Sequence, residues 1–223
     1  MKPTLVIGNK NYSSWSLRPW LLLRHFDVPF DEIRVPLNQS DTAEQLAALS
    51  PSGKVPVLLH EGRAVWESLA ICEYINERFV EGRAWPQDFA ARAHARAIAC
   101  EMHAGFKALR SEWPMNIRLH SHMPLNRHLG ADLARIEMIW NECVAISGGP
   151  WLYGEFSIAD AMYAPVALRF HSYQPPLTDV SRAYVERLIE HRPLAAWMAA
   201  ARLENEVIKE DEVGFLLGES GWQ

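Results

Sequence analysis

The feature that most constrains this chain is a change of periodicity near residue 80. Before it, short β-type runs alternate with helical stretches. Residues 4–7 form a continuous apolar run that reads as a buried strand, and 16–26 carry a helical pattern around Leu21, Leu22 and Leu23. Polar–apolar alternation over 30–37 predicts a second strand, and 42–49 a short helix. Residues 55–59 read as a third strand, Glu61-Gly62 as a tight turn, 63–65 as a fourth strand, and 67–79 as a helix. After the linker-like segment 82–86 no strand pattern remains. Helices are predicted over 89–113, 125–146, 157–170, 180–191 and 194–207, set apart by Pro114, Pro124, Gly148-Gly149-Pro150, Pro175-Pro176 and Pro193. The expectation is α/β plus all-α, an α/β domain over 1–80 and an all-helical domain over 87–223.

Composition narrows the function. The 223 residues are 49% hydrophobic and 22% charged, an ordinary globular balance. A net charge of −5 with no run of Lys and Arg argues against a nucleic-acid binder. Cys72, Cys100 and Cys143 form no CxxC pair, and an odd, sparse count fits a reducing compartment. The N-terminal segment carries too short an apolar run for a signal peptide, and no stretch approaches the length of a membrane span, so the expected location is the cytoplasm. His120 and His122 have no carboxylate or Cys at ligand spacing, and no metal is expected. Glu204 to Glu212 reads as a solvated acidic end of the last helix.

Three local features carry chemistry. The run Asn11-Tyr12-Ser13-Ser14-Trp15-Ser16 places hydroxyls between the first strand and the first helix, where unpaired N–H groups and the helix dipole favour an anion. Its plainer reading is a serine N-cap. In Ser52-Gly53-Lys54-Val55-Pro56-Val57, a proline enters a strand. A cis Val55–Pro56 bond would turn the Val55 backbone outward to pair with an extended peptide, whereas a trans edge proline would do nothing special. Glu67-Ser68 opens a helix, suited either to an amino-acid head group or simply to helix stability.

Taken in order, these features resemble the glutathione-binding, thioredoxin-like domain of the cytosolic glutathione transferases. The residues concerned are the serine-rich turn, Lys54-Val55-Pro56-Val57-Leu58, and Glu67-Ser68-Leu69-Ala70-Ile71 with Glu73-Tyr74-Ile75. In the second half, Trp151-Leu152-Tyr153-Gly154 and Ser157-Ile158-Ala159-Asp160 are similar to the family's signature at its buried helix, with Ser157 as N-cap and Asp160 at N3 of a structural capping box. The likeness is to the serine-using, theta- and zeta-like bacterial classes. Trp15 stands where the zeta class has a cysteine.

The resemblance implies glutathione as co-substrate and a thiol activated by Ser13, with Ser14 and Tyr12 as rivals. Lowering a thiol pKa from about 8.5 by about two units requires about 2.7 kcal/mol, within reach of one charge-assisted hydrogen bond and a helix dipole. It also implies that Val55, preceding Pro56, pairs with the cysteinyl backbone. Lys54 would meet the glycyl carboxylate, and Glu67 and Ser68 would hold the γ-glutamyl end. Trp15, Met102, His103, Phe106 and Arg110 are candidates for the second-substrate pocket, the last four at helical spacing, where Met102 and Phe106 read equally well as core. Trp113 and Met115 are looser candidates. The implied activity is conjugation of the thiolate to small electrophiles, with a detoxification role and a homodimer expected. A maleylacetoacetate isomerase-like cis–trans isomerase and a non-catalytic docking module on the same fold are the alternatives.

Overall fold

The computed structural model describes residues 1–214. Strand β1 (Thr4–Ile7) leads through a tight loop into helix α1 (Ser14–His25). Strand β2 (Asp31–Arg34), helix α2 (Thr42–Leu49), strands β3 (Val57–His60) and β4 (Arg63–Trp66) and helix α3 (Ser68–Arg78) follow. The sheet order is β2-β1-β3-β4. β1 runs parallel to β2, with Thr4 opposite Asp31, and antiparallel to β3, with Thr4 opposite Leu59. β3 and β4 form a hairpin turning on Glu61 and Gly62, both at positive φ, the conformation a two-residue turn of the primed type needs.

The central strand is buried on both faces, which is why residues 4–7 read as an unbroken apolar run. Its alternation still sorts the faces. Leu5 and Ile7 join the core with α1 and α3, while Val6 meets Val35, Val57 and Leu46 of α2. The edge strand β2 carries Asp31 and Arg34, consistent with an edge exposed to water.

The rest of the described chain is helical: α4 (Phe89–Ala104), α5 (Lys107–Glu112), α6 (Arg127–Ser147), α7 (Ile158–Tyr173), α8 (Asp179–Glu190), α9 (Arg192–Arg202) and a 3₁₀ turn (Lys209–Asp211). Helix α7 is buried at every described position except His171, and it packs against α1, α4 and α8. Asp160, fully buried, accepts from Leu152 N, Ser157 N, Ser157 Oγ and Tyr184 Oη at 2.8–3.1 Å, so the loop before α7 and helix α8 are tied to one carboxylate.

Two expectations are corrected. The helix predicted over 89–113 is broken into α4 and α5 at Gly105-Phe106, where Phe106 adopts a left-handed φ of 54°. A Cβ on Gly105 would lie 2.7 Å from Glu101 O, so only glycine allows this turn. The last helix ends at Arg202, and the acidic stretch after it is not a solvated helix end. It is an extended strap lying against the N-terminal half. The Glu204 carboxylate accepts from the N–H groups of Lys10 and Asn11 at 2.8 and 3.0 Å, and Arg118 donates to Glu204 O and Glu206 O.

Candidate active site

The β1–α1 loop opens on a cavity of about 880 Å³. Tyr12, Ser13, Ser14 and Trp15 form one wall, Gly53, Lys54 and Val55 another. Facing them are Lys107, Arg110 and Ser111 of α5, Pro114 and Met115 beyond it, and Arg169 of α7. Ile208 and Asp211 of the strap contribute the last side.

Ser13 is the N-cap of α1 but makes no side-chain cap bond, and the first turn carries no acidic residue. The helix N-terminus is left to whatever occupies the cavity. Ser13 Oγ donates instead to Ser16 Oγ at 2.7 Å, and Ser16 Oγ also accepts from Gly8 N at 3.1 Å. Rotating the Ser13 hydroxyl toward a ligand therefore leaves Ser16 satisfied. Ser13 and Ser14 are both buried, 7% and 8% exposed, yet both border the cavity. Tyr12 is committed elsewhere. Its hydroxyl donates to Glu212 at 2.5 Å and accepts from Arg118 at 2.7 Å, and burial, with the Glu212 carboxylate beside it, raises its pKa.

The Val55–Pro56 bond is cis, and Val55 borders the cavity while Pro56 is buried behind it. Glu67, at a left-handed φ of 68°, caps α3, and its carboxylate lies 3.6 Å from His103 Nε2. Ser68 is buried, its Oγ accepting from Arg18 at 3.5 Å. Glu67, Ser68 and His103 do not border this cavity but adjoin it through Trp15, whose ring meets His103 edge-on at 5.3 Å.

Two guanidinium groups lie over the Trp15 ring, Arg18 at 4.1 Å and Arg110 at 5.5 Å from its centroid. Arg18 is fully buried. Its Nε donates to Met162 O, and burial, reinforced by the Arg169 charge, pushes its pKa down to about 9. Arg110 Nε is buried without a partner and its Nη1 reaches His103 O at 3.4 Å.

Met102 and Phe106 are corrected as pocket residues. Met102 has no exposed surface, Phe106 only 7%, and both pack in the main core rather than on the cavity wall. Helical spacing cannot distinguish a face turned to a core from one turned to a cleft, and the break at Gly105 carries Phe106 off the expected helix. Trp113 is likewise buried, stacked on Tyr173 at 4.9 Å.

Sequence reasoning missed Lys107, Arg169 and Asp211. Arg169 had a signal, since it is a lone cation in the otherwise apolar run Met162–Phe170. It is 4% exposed, anchored by its Nε to Trp113 O at 2.6 Å, and burial, reinforced by the like charge of Arg110 and only partly offset by Asp211, lowers its pKa to about 10. Asp211, mainly through burial, is raised above the ordinary carboxylate range. Among the described residues, four cations border the cavity, Lys54, Lys107, Arg110 and Arg169, against the single carboxylate of Asp211.

Comparison with known proteins follows the two halves. Residues 12–78 match the family model for the glutathione S-transferase N-terminal domain, and 89–200 that for the C-terminal domain. A probable maleylacetoacetate isomerase of Caenorhabditis elegans is 33% identical over 108 residues, 48% of this chain and 50% of that protein. The chain spans about half the length of the curated relatives it matches. A glutathione transferase homologue from Burkholderia strain BGR1, solved with bound glutathione, superposes with a TM-score of 0.71 at 21% identity, covering 91% of this chain and 99% of that one. A bacterial zeta-class maleyl pyruvate isomerase superposes with a TM-score of 0.69 at 21% identity, covering 88% and 97%. At such identities the solved structures share the fold.

Proposed function

Because the chain belongs to the glutathione S-transferase family, we propose that it binds glutathione in the cavity beside α1 and adds the thiolate to a small electrophile. The observation that carries this reading is the uncapped N-terminus of α1. Ser13 and Ser14 border a cavity there that is shared with Lys54 and the Val55 backbone. In this reading Val55 pairs with the cysteinyl backbone and Lys54 meets the glycyl carboxylate. Glu67 and Ser68 hold the γ-glutamyl end, and the Ser13 hydroxyl turns from Ser16 to the sulfur. The thiolate attacks an electrophilic carbon, a C–S bond forms, and a leaving group departs with the bonding pair. A role in detoxification, a reducing cytoplasmic setting and a homodimer belong to the same reading.

The cationic lining favours a second reading. Lys107, Arg110 and Arg169 border the cavity, and their charge suits a carboxylate-bearing substrate. An unsaturated cis acid would accept the thiolate at its double bond, rotate about the resulting single bond, and expel the thiolate as the trans isomer. No net bond to sulfur remains, and proteins named maleylacetoacetate isomerase are among the relatives.

The ultraviolet absorbance of bound thiolate across pH tests the shared premise. A thiol pKa depressed in the wild type and returned toward the free value in Ser13→Ala is expected. Binding with no depression in the wild type would defeat catalysis and leave a docking module. Turnover of maleylpyruvate against 1-chloro-2,4-dinitrobenzene then separates isomerase from transferase.

A further inference from the structure

A second cavity of about 1140 Å³ shares no bordering residue with the first. It lies where the linker before α4 meets the C-terminal end of α6 and the loop before α7. Its walls are aromatic. His25 lies face to face with Phe156 at 4.2 Å, Phe26 stands perpendicular to His25 at 4.8 Å, and Trp151 perpendicular to Phe156 at 5.1 Å. Rings in crossed planes present both faces and edges to the space between them, and the faces attract positive charge.

The charges of the wall have the same preference. Among the described residues, Glu81, Asp88, Glu142 and Glu155 border the cavity against the single guanidinium of Arg83. That guanidinium already sits 5.9 Å over the Phe26 ring, an intramolecular example of a cation on this wall. Burial lowers the pKa of the bordering His25 imidazole, so that ring adds little positive charge near neutrality. The sign is opposite to that of the first cavity, so the two spaces select different ligands.

We propose that this cavity is a second binding site for a lipophilic organic cation, an arylalkyl amine or a quaternary ammonium compound. Its apolar part lies against Phe26, Trp151 and Phe156, and its positive charge faces Glu142 and Glu155. The volume accommodates a ligand of two or more rings. Such a compound is not an electrophile for the thiolate, and its binding is independent of glutathione chemistry.

The test titrates the full chain with benzyltrimethylammonium and, in parallel, with benzenesulfonate, which keeps the ring and reverses the charge. Tryptophan fluorescence and calorimetry give the affinities. One-to-one binding of the cation, at least about tenfold tighter than the sulfonate, is expected. The double variant Glu142→Gln/Glu155→Gln changes two exposed side chains, and should weaken cation binding roughly fivefold. Arg83→Gln, which removes the resident competitor, should strengthen it. Arg110→Gln in the first cavity should leave it unchanged. Equal affinity for the two probes, or cation binding indifferent to the Glu142/Glu155 and Arg83 variants, overturns the proposal.

Discussion

At the scale of single residues the site is a contest for hydroxyls. Ser13 Oγ is held by Ser16, and Tyr12 Oη by Glu212 and Arg118, so the two differ in what it costs to release them. Ser16 keeps its bond from Gly8 N when Ser13 turns away, whereas freeing Tyr12 would break its bonds to half-buried Arg118 and to Glu212 together. Ser14→Ala and Tyr12→Phe are therefore expected to leave the bound thiol pKa low, with Ser13→Ala alone returning it, in the absorbance titration. The partnerless Nε of Arg110 gives a second expectation. Arg110→Gln should raise KM for a carboxylate-bearing electrophile roughly tenfold, the worth of one charge-assisted bond, and leave KM for an uncharged one unchanged. Steady-state kinetics on both substrate types checks it. A uniform loss on both would reassign Arg110 to a structural role.

At the scale of elements, breaks and caps decide where side chains end up. The Gly105 turn separates α4 from α5 and brings Lys107, Arg110 and Ser111 to the cavity. Gly105→Ala sets a Cβ 2.7 Å from a backbone carbonyl, and should cost roughly 1–3 kcal/mol. Urea unfolding measures it, and a midpoint equal to wild type would show that the turn relaxes freely. The capping box expected at Ser157 and Asp160 is present, but the carboxylate also gathers Leu152 N and Tyr184 Oη. Asp160→Ala should then cost roughly 3 kcal/mol, more than loss of a surface cap, because several buried donors lose their acceptor together. The local part of that network was legible in Ser157-Ile158-Ala159-Asp160; the contact with Tyr184, on another helix, was not.

At the scale of the whole molecule, the halves are joined by contacts far apart in sequence. His25 at the end of α1 lies 3.2 Å from His191, between α8 and α9. Burial holds both below the ordinary histidine value, His191 at about 4. The unfolded chain therefore takes up protons that the native state refuses. Stability present above about pH 6.5 should fall as pH drops toward 4 and level off below that. His191→Gln should flatten this slope in thermal melts taken across that range, and an unchanged slope would place the pH sensitivity elsewhere. The strap offers a parallel case. Glu204→Ala removes the acceptor of Lys10 N and Asn11 N and should lower the melting temperature.

The sequence alone determined the order of elements in the first half, the change from α/β to all-helical, and the serine turn, the Lys54-Val55-Pro56 segment and Glu67-Ser68 as candidate ligand contacts. Those are properties of neighbours: periodicity of two or 3.6, breakers, and hydroxyls at a helix start all act within a few residues. Tertiary structure decided which side chains share a space. It assigned Met102 and Phe106 to the core, brought Arg169 and Asp211 to the cavity, and turned the acidic stretch after Arg202 into a strap. It also built a second, oppositely charged cavity from segments 81–91, 142–147 and 150–157 that no local pattern links. Burial and electrostatic field depend on what the rest of the chain places nearby, and that information is carried by packing between residues distant in sequence.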